Sequence, residues 1–188
     1  FPVKEGLGLL KESSLLLLSS ILFFQSGIEG VCNNWSTSYF GQVTDIPANQ
    51  ALIALTCMVV GLTAARMLQI VIFKKIKPAT VLPYSLILTA IGLLTASPGF
   101  IRAATGMVLV GMGLSSTYPV ILSILGTRYP ALSGTAFSIA LAIALVGQAA
   151  MNGLMGMVSV YAGGIVFYPY MMIGSIIIML ILFKRSLK

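Results

Sequence analysis

Long apolar runs, broken by short polar turns, dominate the chain. Six of them occupy about residues 14–40, 49–73, 79–96, 100–125, 132–158 and 165–183. An α-helix needs ~17–25 such residues to cross a ~30 Å hydrocarbon layer, a length every run reaches and some slightly exceed. The pattern predicts six transmembrane helices. Between them lie turns at Gly41–Ala48, Lys74–Pro78, Ser97–Gly99, Thr127–Ala131 and Tyr161–Gly164, punctuated by glycine and proline. None is long enough for a soluble domain, so function is expected among the helices.

Composition reinforces this reading. Of the 188 residues, 58% are hydrophobic and only 8% charged, whereas a soluble domain carries roughly 25% charged residues to face water. The chain reads as an all-α, polytopic membrane protein. With no histidine and four carboxylates, a Ser-His-Asp centre cannot be assembled, nor a histidine-ligated zinc or haem site. No enzyme activity, metal or cofactor is expected. Cys32 and Cys57 both lie inside apolar runs and supply no disulfide framework.

The net charge of +7 does not point to nucleic acid, because the basic residues sit at helix ends, where they set orientation. With the N-terminus inside, Lys4, Lys11, Lys74, Lys75, Lys77, Arg128, Lys184, Arg185 and Lys188 are cytoplasmic, Arg102 alone is outside, and Arg66 lies within a helix. Both termini are then cytoplasmic, as six crossings of a cell (plasma or inner) membrane require. No cleavable signal pattern is evident, and a start at Phe1 suggests a piece of a longer chain.

A faint internal repeat accompanies this layout. Gly27 and Gly61 are 34 residues apart, as are Gly113 and Gly147, and at an offset of 86 Val60-Gly61 matches Val146-Gly147. Three helices repeated after three have inverted orientation, a design common in secondary transporters.

Polar side chains are costly in hydrocarbon and mark where function is sought first. Gln25, Glu29 and Asn33 follow at i, i+4 and i+8 along one stripe of the first helix, with Asn34, Trp35 and Tyr39 beyond. A carboxylate at the depth of Glu29 pairs with a donor or takes up a proton. It would serve as a substrate hydroxyl acceptor or protonation site, or else as a structural bond to a neighbouring helix. Trp35 has two readings, an interfacial anchor or an apolar wall stacking on a sugar ring. Arg66 has two as well, a snorkelling anchor or a charge that closes one side. In the fourth run, Gly111-Met-Gly113-Leu-Ser115-Ser116-Thr117-Tyr118-Pro119 combines small packing residues with a proline kink that exposes carbonyls near Tyr118. In the fifth, Gln148 and Asn152 are again i, i+4. The third and sixth runs, nearly free of polar groups, read as outer supports.

Taken together, these stretches resemble a known family. Gln25-Ser-Gly27-Ile-Glu29 through Trp35 and Tyr39 is similar to the seventh helix of major facilitator transporters of the fucose permease type. Gly61-Leu-Thr-Ala-Ala65-Arg66 with Lys74-Lys75-Ile-Lys77-Pro78 resembles the eighth helix and the basic loop after it, although the family more often has glycine where Ala65 stands. Gly111 to Pro119 with Arg128-Tyr129-Pro130 resembles the tenth helix and its inner loop. The resemblance implies that residues 1–188 are the C-terminal transmembrane half of a twelve-helix fold, a 3+3 inverted repeat. Its partner would be an N-terminal six-helix half or a second copy. It also implies substrate binding between halves and proton symport in many sugar-type members.

The leading expectation is a secondary transporter of a small polar solute, most simply a sugar. Gln25, Glu29, Asn33, Asn34, Trp35, Tyr118, Gln148 and Asn152 would be substrate-binding and Arg66 gating. Sugars need neutral donors and acceptors plus a flat apolar face, which this set supplies. The alternatives are efflux of amphipathic drugs across an adaptable methionine- and phenylalanine-rich surface, or a self-sufficient six-helix channel or scaffold.

Overall fold

Backbone polar groups in hydrocarbon have no water to bond, so a spanning chain satisfies them internally as helix. The computed structural model describes residues 8–96, 98–161 and 164–186 and is helical almost throughout, with no strand among the described residues. In chain order the helices are α1 Ser13–Val43, α2 Ala48–Ile72, α3 Pro78–Thr95, α4 Phe100–Leu114, α5 Thr117–Arg128, α6 Ser133–Tyr161 and α7 Tyr168–Ser186. With α4 and α5 forming one crossing, six helices among the described residues are long and apolar enough to span a membrane. The chain is therefore a multi-pass membrane protein by the character of its helices. Lys4, Lys188, Ser97 and the middle of the 161–164 turn lie outside the described residues.

Local chemistry explains the boundaries. Pro78 opens α3, where a missing N–H costs nothing. Gly99 precedes α4 with φ 109°, a conformation natural to glycine, and its carbonyl accepts the Ala103 N–H at 3.0 Å. The proline kink expected in the fourth run coincides with a two-residue interruption of the helix. The fourth run is not a single helix but divides at Ser115 and Ser116. Pro119 is the cause: it has no N–H for the Ser115 carbonyl, and its ring crowds that same carbonyl one turn back.

Packing organises around α1, the most enclosed span, with 67% of its apolar window buried. Its principal partner is α6, while α2 and α3 both pack mainly on α4. Both long seams rely on glycine for close backbone approach. A Cβ on Gly61 would stand 2.5 Å from the Val108 carbonyl oxygen, and one on Gly147 would collide with the Phe23 backbone. Outer surfaces are apolar, as shown by exposed Leu52, Val60 and Met67 on α2 and Val146, Leu154 and Met157 on α6. The third and sixth spans were expected to be outer supports facing lipid. Yet α6, at 22% buried, is more exposed than either of them at 33%.

The starts of α1 and α3 and the ends of α5 and α7 meet at one end of the bundle. Ser14 accepts a hydrogen bond from Arg128, and Ala79 and Thr80 share a groove with Phe183 and Lys184. Most of the basic residues therefore collect at that end, and Arg102 at the start of α4 lies toward the other.

Candidate functional site

Four helices contribute to one polar cleft. It encloses about 300 Å³ and is lined by Ser26, Glu29, Gly30 and Asn33 of α1, Arg66 of α2, Tyr118 of α5, and Leu145 and Gln148 of α6. Of the nine residues expected to bind or gate, five line it: Glu29, Asn33, Arg66, Tyr118 and Gln148. Glu29 stands sixteen residues after the start of α1 and Arg66 six before the end of α2, at different heights along their helices. Helix geometry brings them to one cleft, because the Cα–Cβ bond tilts toward the helix N-terminus. On antiparallel α1 and α2, Glu29 leans toward the basic end of the bundle and Arg66 leans away from it, so the two converge.

The other four lie elsewhere. Gln25 is wholly buried, and its Nε2 donates to the Leu114 carbonyl at 2.9 Å. It does not face the cleft, because an i, i+4 step turns about 40° around the axis, so an i, i+8 stripe spreads over about 80°. Glu29 and Asn33 reach the cleft, while Gln25 faces the α4–α5 break. There it binds one of the carbonyls next to the division. Gln69 braces the break as well, donating from Nε2 to Ser116 Oγ at 2.8 Å and to Ser115 Oγ. Two buried amides, one on each neighbouring helix, thus hold the kink.

Asn34, Asn152 and Trp35 belong to the α1–α6 seam. Asn34 Nδ2 donates to Asn152 Oδ1 at 2.9 Å, and Asn152 Nδ2 to the Gln148 carbonyl at 2.8 Å. The Trp35 ring rests beside Gly156, and Tyr39 further along stacks on Tyr168 at 4.9 Å between centroids. These contacts fasten the outer half of α1 to α6 and α7.

Three lining residues escaped the sequence reading. Ser26 lies three positions before Glu29 and Leu145 three before Gln148, so helical periodicity from those two anchors would have found both. Gly30 is found by its neighbours, since a Cβ there would stand 2.6 Å from Gln148 Cγ and 2.7 Å from Asn152 Nδ2. A side chain would push Gln148 out of place.

The cleft therefore offers one carboxylate, one guanidinium, two amides and two hydroxyls, among apolar helices. Neutral donors and acceptors with one charge of each sign suit a small polyhydroxylated or zwitterionic molecule. Among the described residues no three cysteine or acidic side chains lie close enough to hold a metal ion. Comparisons with family models, with curated proteins and with solved structures return no match for this chain.

Proposed function

We propose that this chain is one six-helix half of a secondary transporter of the major facilitator type, carrying a small polar solute of the sugar class by alternating access with proton coupling. The observation that carries the reading is the cleft itself. Lipid-facing helices have no use for a carboxylate, an arginine and two amides turned to one concavity, whereas a solute site between helices requires such a set.

Two features of the packing support the half-transporter reading. The first span packs chiefly on the fifth and the fourth on the second, a pairing that maps onto itself when the halves exchange. Under the offset of 86, Gly61 corresponds to Gly147 and Val108 to Leu22. Gly61 abuts Val108 and Gly147 abuts Phe23, so the two seams correspond to within one residue. The wide apolar exposure of α2 and α6, which flank the cleft, fits a partner half closing over it. In this reading both chain ends are cytoplasmic in a cell membrane, Glu29 and Asn33 bind solute hydroxyls, and Arg66 gates the cytoplasmic side.

Solute uptake by the full-length protein in proteoliposomes tests this. Glu29→Gln and Asn33→Ala are each expected to lower sugar uptake about tenfold or more, the effect of losing one strong hydrogen bond to substrate. Wild-type rates for every sugar tested would overturn the assignment. Binding of lipophilic cations without sugars would move it to amphipath efflux, and large non-saturating downhill flux would move it to a channel.

A further inference from the structure

A second polar concavity lies at the basic end of the bundle, where α1 begins and α5 and α7 end. It encloses about 270 Å³ and is lined by Ser13, Ser14, Leu17, Arg128, Arg185 and Ser186, sharing no residue with the Glu29 cleft. Among the described residues, its lining holds two guanidinium groups and three hydroxyls but no carboxylate. Arg128 Nη1 donates to Ser14 Oγ, which anchors one guanidinium across the α1–α5 junction. Both arginines are exposed, and among the described residues neither is paired with a carboxylate.

Two like charges around one concavity repel unless an anion lies between them. The start of α1 adds to this field, because the first-turn N–H groups of this 31-residue helix have no intrahelical acceptor and no side-chain cap; the carboxylate of Glu12, the N-cap residue, neither bonds to them nor lines the cavity. Planar arginine forks match the oxygens of a phosphate, and serine hydroxyls complete its hydrogen bonds. Position narrows the choice of carrier. In the orientation proposed above, the cavity lies where apolar spans end, which sets it at the level of the lipid headgroups with Leu17 toward the hydrocarbon. Basic pockets between spans on the cytoplasmic face suit the anionic lipids of that leaflet. We infer that this cavity binds the phosphate group of an anionic membrane lipid.

Native mass spectrometry of the full-length protein, released from nanodiscs containing equal phosphatidylglycerol and phosphatidylcholine, tests it. The wild type is expected to retain phosphatidylglycerol preferentially. The double variant Arg128→Gln with Arg185→Gln should retain it about thirtyfold more weakly, each basic residue contributing roughly a fivefold factor. Arg128→Lys with Arg185→Lys, which keeps charge and loses the fork, should fall between the two, and Lys184→Gln, outside the lining, should match wild type. Equal retention of the two lipids by wild type would overturn the inference, as would undiminished phosphatidylglycerol on the folded double variant. Displacement of the lipid by inorganic phosphate would reassign the cavity to the soluble anion and overturn the lipid as its occupant.

Discussion

Glu29 and Arg66 come from helices running in opposite directions, and each side chain leans back toward its own N-terminus, so both enter the same cleft. Their energetic coupling is measurable. The double variant Glu29→Gln with Arg66→Gln is expected to deviate from additivity by about 0.5–3 kcal/mol in solute binding, as neighbouring charges around one site do. A strictly additive cycle would separate their roles. The stripe that holds Glu29 also divides into two kinds of residue. Gln25 is fully buried, with Nε2 on the Leu114 carbonyl, so Gln25→Leu should cost about 1–3 kcal/mol in thermal unfolding. Asn33 is exposed in the cleft, so Asn33→Ala should change stability by no more than about 0.5 kcal/mol while impairing uptake. Polar side chains of one stripe thus serve structure or site according to a rotation of some tens of degrees.

At the scale of elements, the seams and the broken span are the informative parts. Gly147 has the Phe23 backbone where a side chain would stand, whereas Gly153, on the same helix, is exposed with open space beside it. Gly147→Leu is expected to lose about 1–3 kcal/mol or more through overpacking, and Gly153→Leu about 0.5 kcal/mol at most, by unfolding in detergent. Comparable losses would mean that the α1–α6 seam is looser than its geometry implies. Division of the fourth span depends on Pro119, and Pro119→Ala restores an N–H for the Ser115 carbonyl. In that variant the newly introduced amide should be protected from hydrogen exchange, exchange at Val120 should slow, and the buried Gln69 bonds to Ser115 and Ser116 should be reorganised. Slowed solute turnover with unimpaired binding would then identify the kink as part of the transport movement.

For the molecule as a whole, the distribution of charge and of apolar surface governs how it sits and what covers it. Ser186 lies beside Arg128 and Arg185 at the basic end, and Gln42 lies at the far end of α1. In the proposed orientation, a cysteine replacing Ser186 is labelled by an impermeant thiol reagent only from the cytoplasmic side, and one replacing Gln42 only from outside. The reverse pattern would invert the topology. Glu29, Arg66 and Gln148 lie in a cleft flanked by the exposed apolar faces of α2 and α6. In the proposed reading, a second six-helix half covers that side.

Much of this protein could be read from residue order alone. Spanning length and apolarity are local properties, so all six crossings were legible, with ends within a few residues. Apart from Arg66, the described basic residues were legible as end markers, because a charge is costly in hydrocarbon. Glu29, Asn33 and Gln148 could be singled out because a polar group in an apolar run is conspicuous without coordinates. Which way each polar group faces was another matter. A helix turns about 100° per residue, and only the choice of neighbour decides whether Gln25 seals a kink, Asn34 clasps Asn152, or Glu29 meets Arg66. Those outcomes depend on contacts between positions as much as 118 residues apart, and periodicity within one helix carries no information about them.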